Sequence, residues 1–247
     1  MARKNWAVRV GDFLFKWRNY VFPALLVPLF LLFIPPAEYL GSESIEDGKD
    51  ILAILLVFAG LGFRTATIGW AYIKRGGLNK RVYADKLVSG GFFGLSRNPL
   101  YIGNMMIYAG LFALHGHPVV MVVGIALYFG IYRTIIAAEE YYLANKFGPD
   151  YADYCARVPR WLPDFSNYGQ ATNGMSFSAV RAVAKDYSTI FNACLAIWFV
   201  ELIERYRADP SAPFTPATEA GTVVILVLLG AVLVIKAMKK TGRLKVL

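Results

Sequence analysis

The sequence predicts an all-α fold: a polytopic membrane helical bundle of six transmembrane helices, two of them joined as a hairpin, with both termini cytosolic. Three observations predict it. The 247 residues are 57% hydrophobic and 17% charged, whereas soluble domains average about 45–50% and about 25%, and the mean hydropathy is +0.45. The apolar residues gather into stretches close to the roughly 20 residues that cross a bilayer. The bases are divided unequally between alternate loops. Together these exclude an ordinary soluble globule and a disordered chain.

Residues 1–20 place Arg3, Lys4, Arg9, Lys16 and Arg18 among aromatics with no small-residue cleavage site, which predicts a basic amphipathic lead-in on the membrane surface. Six apolar stretches follow, at 21–40, 51–73, 100–114, 118–138, 187–203 and 221–238. The third is short and meets the fourth through His115-Gly116-His117 alone, as expected of a hairpin. Of the 26 Lys and Arg residues, 21 lie in 1–20, 74–99, 139–186 and 236–247, and three lie in the intervening loops. The positive-inside rule then puts both ends and the two long loops in the cytosol. A net charge of +9 would suggest nucleic acid in a soluble chain. Here the bases, including Lys74, Arg75, Lys80, Arg81 and Lys86, serve topology and lipid headgroups, and no nucleic-acid partner is expected.

The chain divides into the lead-in (1–20), a membrane core (21–163) and a C-terminal extension (164–247) with an amphipathic segment near 176–186 and two spans. Cys155 and Cys194 form no metal or disulfide framework. No metal site is expected at His115 and His117, which lack Cys, Asp or Glu neighbours. Gly60 and Gly62 suit close helix packing.

Two segments can carry chemistry. In the first, Asn98 precedes Pro99, a helix start with Asn as N-cap, and Arg97 adds a charge beside it. Tyr101, Asn104 and Tyr108 follow at i, i+3 and i+7, a polar stripe on one helical face. The competing account is a capped helix with tyrosines packed in the bundle. In the second, Tyr128, Tyr132 and Glu139 share one face and Arg133 and Glu140 the neighbouring one. An intramembrane arginine near a carboxylate is a functional-site hypothesis. The competing account is a pair, Arg133–Glu140 or Arg64–Glu139, that only locks helices.

In order and spacing, Arg97-Asn98-Pro99-Leu100-Tyr101-Ile102-Gly103, Glu139-Glu140, Phe147-Gly148, Tyr151, Tyr154 and Val158-Pro159-Arg160-Trp161-Leu162-Pro163 resemble the isoprenylcysteine carboxyl methyltransferase family, within the membrane phospholipid-type methyltransferases, over residues 50–163. The resemblance implies an S-adenosylmethionine-dependent enzyme with a cytosolic cofactor pocket that opens sideways to lipid. Arg97, Asn98, Tyr101, Asn104, Glu139, Glu140, Tyr151 and Tyr154 are then the expected cofactor-binding residues. Tyr151, Tyr154, Arg157 and Arg160 would shape a cytosolic cover. Arg133, Glu140 and Arg64 are the expected catalytic residues, with an arginine holding a carboxylate or phosphate of the substrate and Glu140 the partner of Arg133. Asn98 stands where the eukaryotic members have His, and the extension after Pro163 departs from the core family. The expected partners are an amphiphilic, lipid-like acceptor (carboxylate, amine or thiol) and membrane lipids, and an oligomer is compatible. The expected location is a bacterial inner membrane, with the site facing the cytosol. The rival expectations are a nicotinamide-dependent reductase of the sterol-reductase type and a non-catalytic membrane scaffold or transporter.

The basic asymmetry yields a direct expectation. A cysteine introduced by Asp153→Cys is labelled by an impermeant thiol reagent only from the cytosolic side; labelling from the outer side alone would overturn this topology.

Overall fold

A computed structural model describes residues 4–36, 39, 43–71, 82–211 and 214–244. The described residues are helical, with no strand. Arg3, Lys74, Arg75, Lys80 and Arg81 and the ends of the first two apolar stretches lie outside them.

Helix α1 spans Trp6–Leu32, started by Asn5, whose side chain accepts from the Val8 N–H. The expected surface lead-in and first span are therefore one continuous helix. Helix α2 spans Glu43–Trp70 and takes in residues expected in an outer loop. Its polar first turns are held by Lys49, which pairs with Glu46 at 2.7 Å and Asp50 at 2.9 Å. Carboxylate oxygens of Asp50, Glu201 and Glu204 lie within 4.8 Å of one another beside it.

A short 3₁₀ turn, Gly91–Gly94, leads to α3, Pro99–His115, and α4, Pro118–Phe147. Their hairpin is the expected one. Gly116 ends α3 with φ 73, a left-handed conformation open to glycine. His117 then caps the Val119 N–H before Pro118 begins α4. His115 is buried against Phe30, whose carbonyl lies 3.3 Å from Nε2.

Gly148 closes α4 and Pro149 opens α5, Pro149–Arg157. After α6, Tyr168–Thr172, helix α7 spans Ala179–Ala208 from a Ser178 cap, and α8 spans Pro216–Lys240 from a Thr215–Thr218 capping box. The amphipathic segment near 176–186 thus merges into α7 rather than lying apart from it.

Among the described residues, four helices are long and apolar enough to cross a membrane: Ser44–Trp70, Pro118–Phe147, Ala179–Arg207 and Pro216–Lys240. The chain is an integral-membrane protein. Outside that set, α1 carries Lys16, Arg18 and Asn19 ahead of its apolar half, and α3 has 17 residues.

The bundle packs α1 on α4, α3 between α2 and α4, and α7 on α2, with α8 on α7. An aromatic cluster joins α1, α3 and α4: Tyr128 lies 5.1 Å from Phe22, 4.4 Å from Tyr108 and 5.2 Å from Phe112 between ring centroids. The buried Tyr128 hydroxyl donates to the Phe22 carbonyl at 2.8 Å. Such a bond removes the cost of burying a phenol.

The α2–α3 contact is closest where two glycines meet. A Cβ on Gly60 would lie 2.7 Å from the Gly103 carbonyl oxygen, and one on Gly103 would lie 2.5 Å from Arg64 Cγ. Gly62, expected to share this packing, is exposed, and a Cβ there would meet nothing within 4 Å. Opposite effects follow. Gly103→Ala should lower stability in detergent by about 1–3 kcal/mol through overpacking, whereas Gly62→Ala should be neutral or raise it by up to about 1 kcal/mol through helix propensity. Thermal unfolding of the two variants checks the pair.

Candidate active site

The helices enclose a cavity of about 700 Å³, walled by α1, α2, α3, α4 and α7. At the end nearest the start of α3, its lining is Arg18, Phe93, Arg97, Asn98, Tyr101 and Glu139. Midway it is lined by Arg64, Asn104, Tyr108, Tyr132, Ser188 and Thr189. Farther along the same helices it becomes mostly apolar, with Leu26, Val27, Leu111, Ala193 and Ala196 beside Asn192. The expected stripe of Tyr101, Asn104 and Tyr108 does face one space.

Two acidic neighbours at the end of α4 point to different places. Successive helical residues are turned by about 100°, so Glu139 enters the cavity wall while Glu140 faces the returning chain. Tyr101 donates to Glu139 at 2.8 Å. Among the described residues no ion pair includes Glu139. Glu140 instead takes a two-pronged contact from Arg160, Nε to Oε1 at 2.9 Å and Nη2 to Oε2 at 2.7 Å, with Arg97 Nη1 3.9 Å away.

This corrects the expected Arg133–Glu140 pair. Arg133 is exposed and takes no part in the cavity wall. Its spacing aligned it with Glu140 in azimuth, but seven residues also separate the two by about 10 Å along the axis. Arg160 arrives from outside the helix and fits the carboxylate fork.

Arg97 lies under this cover, donating from Nη1 to Cys155 Sγ at 2.8 Å. Burial works against its charge, but Cys155 and Glu140 outweigh that and raise its basicity. Asn98 begins α3 without the expected side-chain cap. Its Nδ2 donates to the Arg160 carbonyl at 3.1 Å, so it ties the cover to the helix start. Tyr151 and Tyr154 are buried on α5, and neither enters the cavity wall. The Tyr154 hydroxyl donates to the Phe93 carbonyl at 2.8 Å. Burial pushes both phenols up, so they stay neutral. Arg157 is exposed and bonds the Asp153 carbonyl on its own helix.

The cover is a second chain laid along residues 95–98. The Arg97 N–H donates to Pro159 O at 2.9 Å, the Asp164 N–H donates to Leu95 O at 2.9 Å, and Ser96 Oγ donates to Trp161 O at 3.1 Å.

Arg64 is 5% exposed and pairs with Asp186, which is fully buried, at 2.6 Å. Its Nη1 also donates to Asn104 Oδ1 at 2.5 Å and to Leu100 O at 3.4 Å, and Nη2 donates to Thr189 Oγ1 at 3.3 Å. The expected locking pair of Arg64 with Glu139 is thus replaced by one with α7. Sequence reasoning missed Asp186, Thr189 and Arg18. A signal existed: Asp186 and Thr189, with Ala193, recur at i, i+3 and i+7 on the helix that enters the fifth apolar stretch.

Fold and site together describe a helical membrane protein with a half-polar cavity under a cover formed by residues 158–164. Residues 49–150 match the phospholipid methyltransferase family, and the chain belongs to it. It is similar to the cobalt-zinc-cadmium resistance protein CzcN of Cupriavidus metallidurans, 31% identical over 170 residues, 67% of this chain and 72% of that protein. It is also similar to the nickel-cobalt-cadmium resistance protein NccN of Alcaligenes xylosoxydans xylosoxydans, 31% identical over 128 residues, 51% of this chain and 57% of that protein. No solved structure matches. The matched family segment ends before Arg160 and before all of α7.

The cover gives a measurable expectation. Glu140→Gln removes the charge that anchors Arg160, and about 1.4 kcal/mol corresponds to tenfold in an opening equilibrium. The Arg97 and Asp164 amides should then exchange with deuterium about tenfold faster, with α2 and α8 unchanged. Unchanged exchange at both amides would show that the backbone bonds hold the cover alone.

Proposed function

We propose that the chain is an S-adenosylmethionine-dependent methyltransferase of a bacterial plasma membrane, taking an amphiphilic acceptor from the bilayer at a site that faces the cytosol. Under this proposal six helices lie across the membrane and both termini are cytosolic. One observation carries it: a single cavity runs from an acid–base end at Glu139 and Arg97 to an apolar end at Leu26, Val27, Leu111 and Ala196.

The residues at the polar end fit the cofactor. Glu139 is a carboxylate in the cavity wall whose bond is to a neutral phenol rather than to a base, which suits the cationic methionine end. Arg97, fixed by Cys155 and Glu140, offers its positive charge to a carboxylate. When bound, the cofactor would supply an electrophilic methyl on sulfonium.

The chain's residues do the rest. Tyr101 orients Glu139. Phe93 and residues 158–164 exclude water, which favours a step in which charge is neutralised. Glu139 is given to the cofactor, and an acceptor carboxylate or thiolate needs no base. The apolar end receives the hydrocarbon part, whose burial contributes about 0.8 kcal/mol per methylene. The resistance named for the relatives fits an enzyme that alters a membrane constituent, since the membrane is the barrier those cations meet first.

Calorimetric titration with S-adenosylhomocysteine tests this reading, with NADPH as the contrast. The homocysteine compound is expected to bind and NADPH is not; the reverse would establish the reductase, and neither would leave a scaffold. Glu139→Gln should weaken cofactor binding by about 10- to 100-fold, the loss of one charge-assisted contact of about 1.5–3 kcal/mol. Wild-type affinity in that variant would remove Glu139 from the cofactor site.

A further inference from the structure

The guanidinium of Arg64 has five N–H donors, and four already have acceptors. Nη1 is shared between Leu100 O and Asn104 Oδ1, and Nη2 between Asp186 and Thr189. Only Nε is left without a partner. An arginine grips a carboxylate or phosphate through two parallel donors, and Arg64 no longer has two to give.

Charge points the same way. Arg64 is 5% exposed and Asp186 is fully buried, and at 2.6 Å the carboxylate offsets part of the Arg64 charge. An anion brought to Arg64 is also repelled by Asp186, which weakens its attraction. Its loss of hydration is not cancelled. Around the pair the wall offers the neutral groups Asn104, Tyr108 and Thr189, while the bases Arg18 and Arg97 lie towards the Glu139 end.

We propose that Asp186, on a helix outside the family's matched segment, is a specificity-determining positioning residue: it occupies Arg64 and offsets its charge so that the cavity accepts an uncharged polar head group and turns anionic amphiphiles away. This rests on the cavity being the acceptor site of the proposed function, and it narrows the acceptor from carboxylate, amine or thiol to a group that enters uncharged.

The test needs neither cofactor nor turnover. The full chain in phosphatidylcholine nanodiscs is photo-cross-linked with two probes of equal chain length, a diazirine-bearing alkyl alcohol and the corresponding alkyl sulfate. Labelling of cavity peptides from α3 and α7 is normalised to that of lipid-facing α8. Wild type is expected to favour the alcohol by about tenfold or more. Asp186→Asn keeps the shape, leaves Arg64 with an uncompensated charge, and should reverse the preference. The double variant Arg64→Gln with Asp186→Asn is again neutral and should restore it, which keeps the idea testable if the single variant folds poorly. Equal or greater sulfate labelling in wild type, or in the double variant, overturns the proposal; so does an unchanged ratio in a folded Asp186→Asn. A chain that selects the alcohol yet binds no S-adenosylhomocysteine would keep this inference and lose the methyltransferase reading. A chain that binds it without selecting would do the opposite.

Discussion

The buried ion pair between Arg64 and Asp186 is the constraint on which the rest of the structure depends. A lone guanidinium at this depth carries a desolvation cost of several kcal/mol, and breaking a buried pair typically costs about 3–5 kcal/mol. Meeting that constraint decides the neighbours. Gly103 is bare so that the Arg64 stem can pass over α3, Gly60 lets the two backbones close, and Asn104 turns its amide oxygen to Nη1. Helix α7 has to dock where Asp186 can reach, and in docking it becomes a wall of the cavity. Packing, polarity and pocket shape therefore have a common origin in one charged side chain.

A second division of labour follows from the pitch of α4. Glu139 and Glu140 are adjacent in sequence and belong to different environments, one walling the cavity and the other anchoring residues 158–164. The cover does not rely on Glu140 alone, because backbone bonds from Arg97 and Asp164 lay it against residues 95–98. Asn98 and Ser96 add side-chain bonds to the same strip. The loop before α3 is thus held on its outer side by the chain that returns from α5. Its inner side is left to face a ligand.

Much of this was legible beforehand, and the losses have physical reasons. Periodicity located the hairpin, because Gly116 and Pro118 are strong punctuation, and it placed Tyr101, Asn104 and Tyr108 on one face. It also separated Glu139 from Glu140. Helix boundaries were harder: charges at 16–18 and 46–50 look like loop residues, yet a helix can carry them when Lys49 is paired and the long stems reach outward. Partners were hardest. Arg133 matched Glu140 within one helix, while Arg160 and Asp186 come from segments whose approach is set by tertiary packing, which helical spacing does not encode. Asn98 had the composition of a cap, but a carbonyl across the cover offered its amide a better partner than its own helix.

The 122 residues that separate Arg64 from Asp186 also bear on how the protein is made. Ribosomes add about 5–20 residues per second, so Arg64 is synthesised roughly 6–24 s before its counter-ion. During that interval the nascent α2–α3 unit holds a charge that water, lipid headgroups or the insertion machinery must accommodate. Arrival of α7 ends that state, so the α2–α3 unit reaches its final charge balance only when α7, which packs on both of its helices, has been made.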